Sequence, residues 1–216
     1  MSRVMVGLLC MVVLASVGCQ SVTGVRGSGV AVTETRKVDS FDELALSGSG
    51  NIKVTIGEAT PLTITADDNL LPLIETKVQG GRLSIRPTES INPSTEIVIV
   101  LGTPSLKHVR CSGATKLEVH DVKDEPLKIV VSGASTIHAD GRTKRFEVTV
   151  SGAGEVYASD LKAEEVAITI SGAGNAEVHA ENKLKARISG SGNITYRGEP
   201  AIEQVVSGAG TIRKQR

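Results

Sequence analysis

Apolar and polar residues alternate with period two through the second half of the chain, and the alternation restarts at a fixed corner. That corner is Ser-Gly followed by a small residue. It occurs at Ser47-Gly48-Ser49-Gly50, Ser112-Gly113-Ala114-Thr115, Ser132-Gly133-Ala134-Ser135 and Ser151-Gly152-Ala153-Gly154. It returns at Ser171-Gly172-Ala173-Gly174, Ser189-Gly190-Ser191-Gly192 and Ser207-Gly208-Ala209-Gly210. From Ser112 on, successive starts are 20, 19, 20, 18 and 18 residues apart. Aligned on the serine, columns appear. Five residues after it stand Leu117, Ile137, Val156, Ala176, Ile194 and Ile212; seven after, Val119, Ala139, Ala158, Val178 and Tyr196. One before stand Cys111, Val131, Val150, Ile170, Ile188 and Val206; three before, Val109, Ile129, Val148, Ile168, Ala186 and Gln204; five before, Leu127, Phe146, Val166, Leu184 and Ile202. Alternation on both sides of the corner predicts two strands per repeat, each with one face inward.

A hairpin meander also alternates, but it does not need one short period with the same corner each time. Stacked coils do, because each inward residue must lie over its counterpart about 4.8 Å below. The expectation is an all-β, right-handed parallel β-helix (a β-solenoid) with 18–20 residues per coil. The five intervals from Ser112 would span about 24 Å. Glycine at the corner suits backbone angles that other residues resist.

Residues 38–111 are less regular and are expected to form wider coils or a small β cap, continuous with the regular solenoid of 112–216. Strand-like runs occur at Ile52–Ile56, Leu62–Ala66, Leu83–Arg86 and Ile97–Leu101, and Gln79-Gly80-Gly81-Arg82 reads as a hairpin turn. A cap is needed because an open sheet edge recruits other chains. The cationic tail Arg213-Lys214-Gln215-Arg216 would discourage end-to-end stacking at the other end.

The first residues read differently. Met1-Ser2-Arg3 is a short positive start, and Val4–Val17 is apolar apart from small residues, the length of a signal h-region and short for a membrane span. The segment closes Leu14-Ala15-Ser16-Val17-Gly18-Cys19, which resembles a bacterial lipobox, with Ser16 where leucine is usual. Residues 1–18 are therefore expected to be a lipoprotein signal peptide, Cys19 the lipid attachment site, and 19–37 a Gly/Ser/Thr/Val-rich tether. An ordinary cleaved signal peptide with a coincidental cysteine is the plainer alternative. Gln20, rather than aspartate, leans toward the outer membrane.

Composition narrows the function. Lys+Arg and Asp+Glu are both 24, so no net field gathers nucleic acid, and nucleic acid is excluded as a partner. Aromatic content is 2% and tryptophan is absent, so the core must be thin and aliphatic. Of three cysteines only Cys111 lies in the body, on an inward column, where a buried thiol acts as a small hydrophobe.

Phe41-Asp42-Glu43-Leu44, Ser47-Gly48-Ser49-Gly50-Asn51-Ile52, the later Ser-Gly-Ala-Gly series and Gly192-Asn193-Ile194 resemble the auto-transporter adhesin head GIN domain, a domain of unknown function. The resemblance covers about residues 30–212. It implies a β-helical cell-envelope domain, often on a lipoprotein, with no established enzymatic activity.

Outward columns are where a site would lie. Six after the serine come Glu118, His138, Tyr157, Glu177 and Thr195; eight after come His120, Asp140, Ser159, His179 and Arg197. Stacking would set Glu118 beside His138 and His120 beside Asp140, about 5 Å apart at Cα. These four form the candidate surface site, able in principle to hold a divalent ion or to do acid–base work on a carbohydrate. The plainer alternative is a solvated strand face with stacked opposite charges. His179 lies three coils from His120, about 14 Å away, too far to share an ion. No concentrated acidic cluster, aromatic platform for sugars or phosphate-cradling loop is apparent. The expectation is thus a non-enzymatic envelope lipoprotein, held to the membrane by its lipid anchor and offering a surface to a protein or glycan ligand, with no cofactor. The alternative is a carbohydrate-active or metal-binding envelope protein using the Glu118/His120/His138/Asp140 face.

Overall fold

A computed structural model of the chain describes residues 24–215. Cys10, Cys19 and the expected signal peptide lie outside the described residues. The fold is all-β. Its strands are β1 Val25–Arg26, β2 Ala31–Arg36, β3 Glu43–Ile56, β4 Thr60–Asp67, β5 Ile74–Gln79, β6 Arg82–Pro87, β7 Ile91–Asn92 and β8 Val98–Thr103. They continue with β9 His108–Asp124, β10 Leu127–Val131, β11 Thr136–Val150, β12 Glu155–Ile170, β13 Asn175–Ile188, β14 Asn193–Arg197, β15 Ala201–Val206 and β16 Thr211–Lys214. The one helical element described is a 3₁₀ turn at Leu71–Leu73. No helix among the described residues is long and apolar enough to cross a membrane. Fourteen strands form one large mixed sheet that does not close on itself, and β1 and β7 pair separately.

From β9 to β16 every pairing in the sheet is parallel, and its register follows the sequence repeat. Leu117 pairs with Ile137, Ile137 with Val156, Val156 with Ala176, Ala176 with Ile194 and Ile194 with Ile212. On the other side of the corner, Cys111 pairs with Val131, Val131 with Val150, Val150 with Ile170 and Ile170 with Ile188. We call the segment before each Ser-Gly corner the first leg and the segment after it the second leg. The inward columns are buried down to Ile188 and Ile194. They break at the last repeat, where Ile202 and Val206 are 44% and 43% exposed because no further strand pairs with the free edge of β15 among the described residues. Between second leg and next first leg, Val122, Leu161, Ala163 and Ala180 are also buried, so each turn has a further inward segment that the two-strand expectation lacked.

The regular repeat starts earlier than expected. β3 pairs with β9 in parallel at every position from Glu43↔His108 to Thr55↔His120, setting Ser47 on Ser112 and Gly48 on Gly113. The expected boundary between 111 and 112 falls inside β9. The irregular part is the insertion between them. β6 and β8 lie parallel on the two legs of β3, and antiparallel strands close the edge: β5 on β6, β4 on β8, β2 on β4. The four predicted strand runs fall in β3, β4, β6 and β8. The β5–β6 hairpin turns at Gly80 and Gly81, whose φ values of 60° and 77° suit a two-residue loop that needs positive φ at both positions.

Within the stretch expected as a tether, residues 25–26 and 31–36 are strands, paired with β7 and β4. Their anchor is Asp67, fully buried, whose carboxylate accepts the N–H groups of Gly29 (2.7 Å), Ser94 (3.0 Å) and Thr95 (3.1 Å). Burial alone would raise its pKa, but the three backbone donors outweigh it and hold the carboxyl below its ordinary value. A tether composition said nothing of this, because the partners lie about 40 and 65 residues away along the chain.

Glycine at the corner takes the expected positive φ at Gly48, Gly113 and Gly208, and serves a second purpose at the other corners. Gly133, Gly152, Gly172 and Gly190 do not have positive φ. What they share is contact. A Cβ on Gly133, Gly152, Gly172 or Gly190 would fall 2.2–2.4 Å from the carbonyl oxygen of the corner glycine in the preceding repeat. The corner backbones stack too closely for any side chain.

Candidate functional site

The outward side of the second leg carries three rows of side chains running from strand to strand. The first holds Asn51, Lys116, Thr136, Glu155, Asn175, Asn193 and Thr211. The second holds Lys53, Glu118, His138, Tyr157, Glu177, Thr195 and Arg213, in strand register throughout. The third starts Thr55, His120 and Asp140, where a register shift between Ala139 and Gly141 interrupts the ladder.

Three of the four candidate residues come together. His120 Nδ1 lies 2.6 Å from Asp140 Oδ2, and its Nε2 lies 3.4 Å from Glu118 Oε2. Asp140 also accepts the Asp121 N–H at 3.1 Å. Glu118 is paired with Lys116 Nζ at 3.0 Å and Lys53 Nζ at 3.4 Å. The Lys116 hydrogen bond is the chief reason its carboxyl titrates at about 2; partial burial opposes it, and His120 and Lys53 add to it. His138 goes elsewhere. Although in register with Glu118, its ring stacks on Tyr157, centroids 4.9 Å apart and planes 19° apart. His179 pairs in register with Arg197 and Lys162, and His108 with Glu43 Oε1 at 3.3 Å, so neither joins the cluster. Among the described residues no group of three or more His, Cys, Asp or Glu side chains is placed to hold a metal ion. Both nitrogens of His120 face carboxylate oxygens, so the ring bridges two carboxylates instead of offering an open nitrogen to a metal.

Residues 40–200 match the family described as "Putative auto-transporter adhesin, head GIN domain". The chain belongs to the GIN-domain family. Solved structures share the fold of this GIN-domain protein. A "putative adhesin" from Bacteroides fragilis is 22% identical, with a TM-score of 0.70 over 89% of this chain and 100% of that one. A "putative lipid binding protein" from Parabacteroides distasonis is 22% identical, with a TM-score of 0.63 over 90% and 100%. A "putative adhesin" from Parabacteroides merdae is 23% identical, with a TM-score of 0.55 over 89% and 99%. No curated protein matches the chain.

The GIN-domain protein carries open grooves along its second-leg face. One of about 490 Å³ lies between the corner residues and the loop at Pro93–Ile97, where Asn51 Nδ2 donates to Glu96 at 2.6 Å. One of about 270 Å³ continues over Lys53, Val98, Val100 and Glu118. A third of about 370 Å³ lies over Tyr157, Asn175, Glu177, Asn193, Thr195 and Arg213. The sequence columns at positions six and eight pointed to this face. The column four after each serine, which holds the Asn175–Asn193–Thr211 row, is equally legible in the sequence. The His138–Tyr157 stack supplies an aromatic surface that two isolated ring residues in sequence did not suggest.

Proposed function

We propose that this GIN-domain protein is a non-enzymatic, lipid-anchored component of the bacterial cell envelope that presents its second-leg face as a rigid binding surface. The observation that carries the reading is the run of three open grooves along that one strand face. In this reading residues 1–18 are a signal peptide, Cys19 carries the lipid, and Gln20 directs the protein to the outer membrane. The in-register parallel stack is wound as a right-handed β-helix in which 38–111 and 112–216 form one continuous domain. Neighbouring coils fix outward side chains at a spacing of about 4.8 Å, so the surface is preorganised and a ligand meets little ordering cost. Membership of an adhesin-like family supports a binding role.

Less supports a carbohydrate-cleaving or metal-binding use of Glu118, His120, His138 and Asp140. Glu118 is ionised and tied to lysines, which suits neither a general acid nor an open ligand set. Two measurements test the proposal. Expressed in a Gram-negative host, the chain should fractionate with membranes and its Cys19→Ser variant should not; membrane partition of the variant ends the lipid-anchor reading. Retention on isolated envelopes should be lost on Thr195→Arg, on the second-leg face, and kept on Lys185→Ala, on the first leg; equal retention by both ends the binding-surface reading.

A further inference from the structure

We infer that the groove beside Tyr157 is a saccharide site, taking a neutral or amino-sugar oligosaccharide laid along β12, β13, β14 and β16. The inference rests on the second-leg face being the binding surface and names its ligand. Tyr157 is 36% exposed. One face of its ring is covered by His138, at a centroid distance close to the spacing between coils, so the ring plane stands across the stack and its other face looks toward the next coil, into the groove. The phenol O–H donates to Glu155 Oε2 at 3.1 Å, which fixes the ring from its far end. The site therefore begins with a held, half-open aromatic face.

Beyond it lie polar groups of both senses. Asn193 Nδ2 donates to Asn175 Oδ1 at 3.0 Å, and Thr211 Oγ1 donates to Asn193 Oδ1 at 2.7 Å. This chain orients the two amides and leaves the Asn175 amide N–H groups without an acceptor among the described residues. Glu177, one coil beyond Tyr157, adds carboxylate acceptors, and Arg213, near Thr195 at 3.4 Å, adds donors. A sugar needs this combination: an apolar C–H face to lie on an aromatic ring, and hydroxyls that both donate and accept toward planar amide, carboxylate and guanidinium groups. The volume of about 370 Å³ is at the lower end for small-ligand sites. Two carboxylates, Glu155 and Glu177, against one guanidinium, Arg213, disfavour phosphate and acidic sugars. The polar walls disfavour an acyl chain.

The chain has two tyrosines and no tryptophan, so ring-proton resonances give a direct readout. The full chain is titrated with chito-oligosaccharides, neutral gluco- and galacto-oligosaccharides and, as a separate arm, a peptide library. A saccharide should shift the Tyr157 ring signals and leave those of Tyr196, on the inward column, in place. Tyr157→Ala and Asn175→Ala should each weaken binding on the order of tenfold, as loss of an anchor does. Lys185→Ala, on the first leg, should stay within about threefold of the wild type. Absence of any saccharide-induced shift at Tyr157, or saccharide binding indifferent to Tyr157→Ala and Asn175→Ala, overturns the inference. A peptide that shifts Tyr157 where no sugar does overturns it while leaving the binding-surface reading intact. That broader reading fails separately, on the envelope-retention measurement.

Discussion

Adding one methyl group at Gly152 should force neighbouring repeats of the sheet apart. The new Cβ would fall 2.4 Å from the Gly133 carbonyl oxygen, 3.2 Å from its carbon and 3.4 Å from its Cα. Ordinary contact begins near 3.4 Å, so the overlap with oxygen is about 1 Å. The obstacle is backbone, and it is held on both sides: Ser151 N–H donates to Val131 at 2.8 Å and Glu155 N–H to Ser135 at 2.9 Å. Relief requires the two corners to separate, which stretches both bonds. Overpacking of this kind costs about 1–3 kcal/mol, and each weakened bond adds up to about 1 kcal/mol, so Gly152→Ala should lose about 2–4 kcal/mol. Two controls isolate the cause. Gly80→Ala has positive φ but nothing within 4 Å, and should cost only about 1 kcal/mol of backbone strain. Gly154→Ala meets the Val131 Cγ1 methyl at 2.6 Å, a side chain, so Val131→Ala should partly relieve it in a double-mutant cycle, whereas trimming side chains should not relieve Gly152→Ala. Urea unfolding followed by circular dichroism measures all of these, with a check for stepwise loss because stacked repeats need not unfold in one transition. A loss at Gly152→Ala no larger than that at Gly80→Ala would refute the close-stacking argument.

The Glu118 carboxyl should titrate at about 2 by carbon-detected NMR, against an ordinary 4.5, and Lys116→Met should raise it. Because its folded value is depressed, the stability it contributes is present above about 4.5 and disappears as pH falls from there toward 2; a midpoint in the ordinary carboxylate range contradicts the lysine pairing. Cys111 is 1% exposed and burial pushes its thiol up to about 11, so in a chain with Cys10 and Cys19 replaced by serine it should resist a thiol reagent at pH 8 until the protein is unfolded; prompt native-state labelling places it outside the core. Asp67→Ala should leave the Gly29, Ser94 and Thr95 N–H groups without their acceptor and speed amide exchange across residues 27–36, while exchange at 166–170 stays slow; unchanged protection in 27–36 means the cradle does not hold that segment.

Legibility from sequence followed periodicity. The inward columns through Leu117, Ile137, Val156, Ala176 and Ile194 are buried because a period-two pattern repeated at near-constant length forces like residues over like. The Gly80-Gly81 turn was legible for a local reason, the positive φ that two-residue hairpins demand. The His120–Asp140 contact followed from spacing alone and survives a bulge in the ladder, since side chains span a shift that Cα register does not. His138 lies opposite Glu118 in the ladder, as the spacing sets it, but its ring leans on Tyr157. Row position is a property of the repeat, but the direction a ring leans is set by what lies above and below it, and Tyr157 offers a stacking surface that Glu118 does not.

By itself, then, the chain's sequence determined the two strands of each repeat, the spacing of its corners, which residues of those two strands face the aliphatic interior and which row each outward residue joins, because all of these repeat locally. Only the tertiary structure decided that residues 25–36 belong to the body, that the corner glycines are required by backbone contact between coils, that Ile202 and Val206 stand exposed on columns buried everywhere above them, and that Tyr157 is held between His138 and an open groove. Each of these depends on what lies one repeat away or across an irregular insertion, and a repeat unit carries no record of its neighbour's absence or of a partner about 40 residues distant.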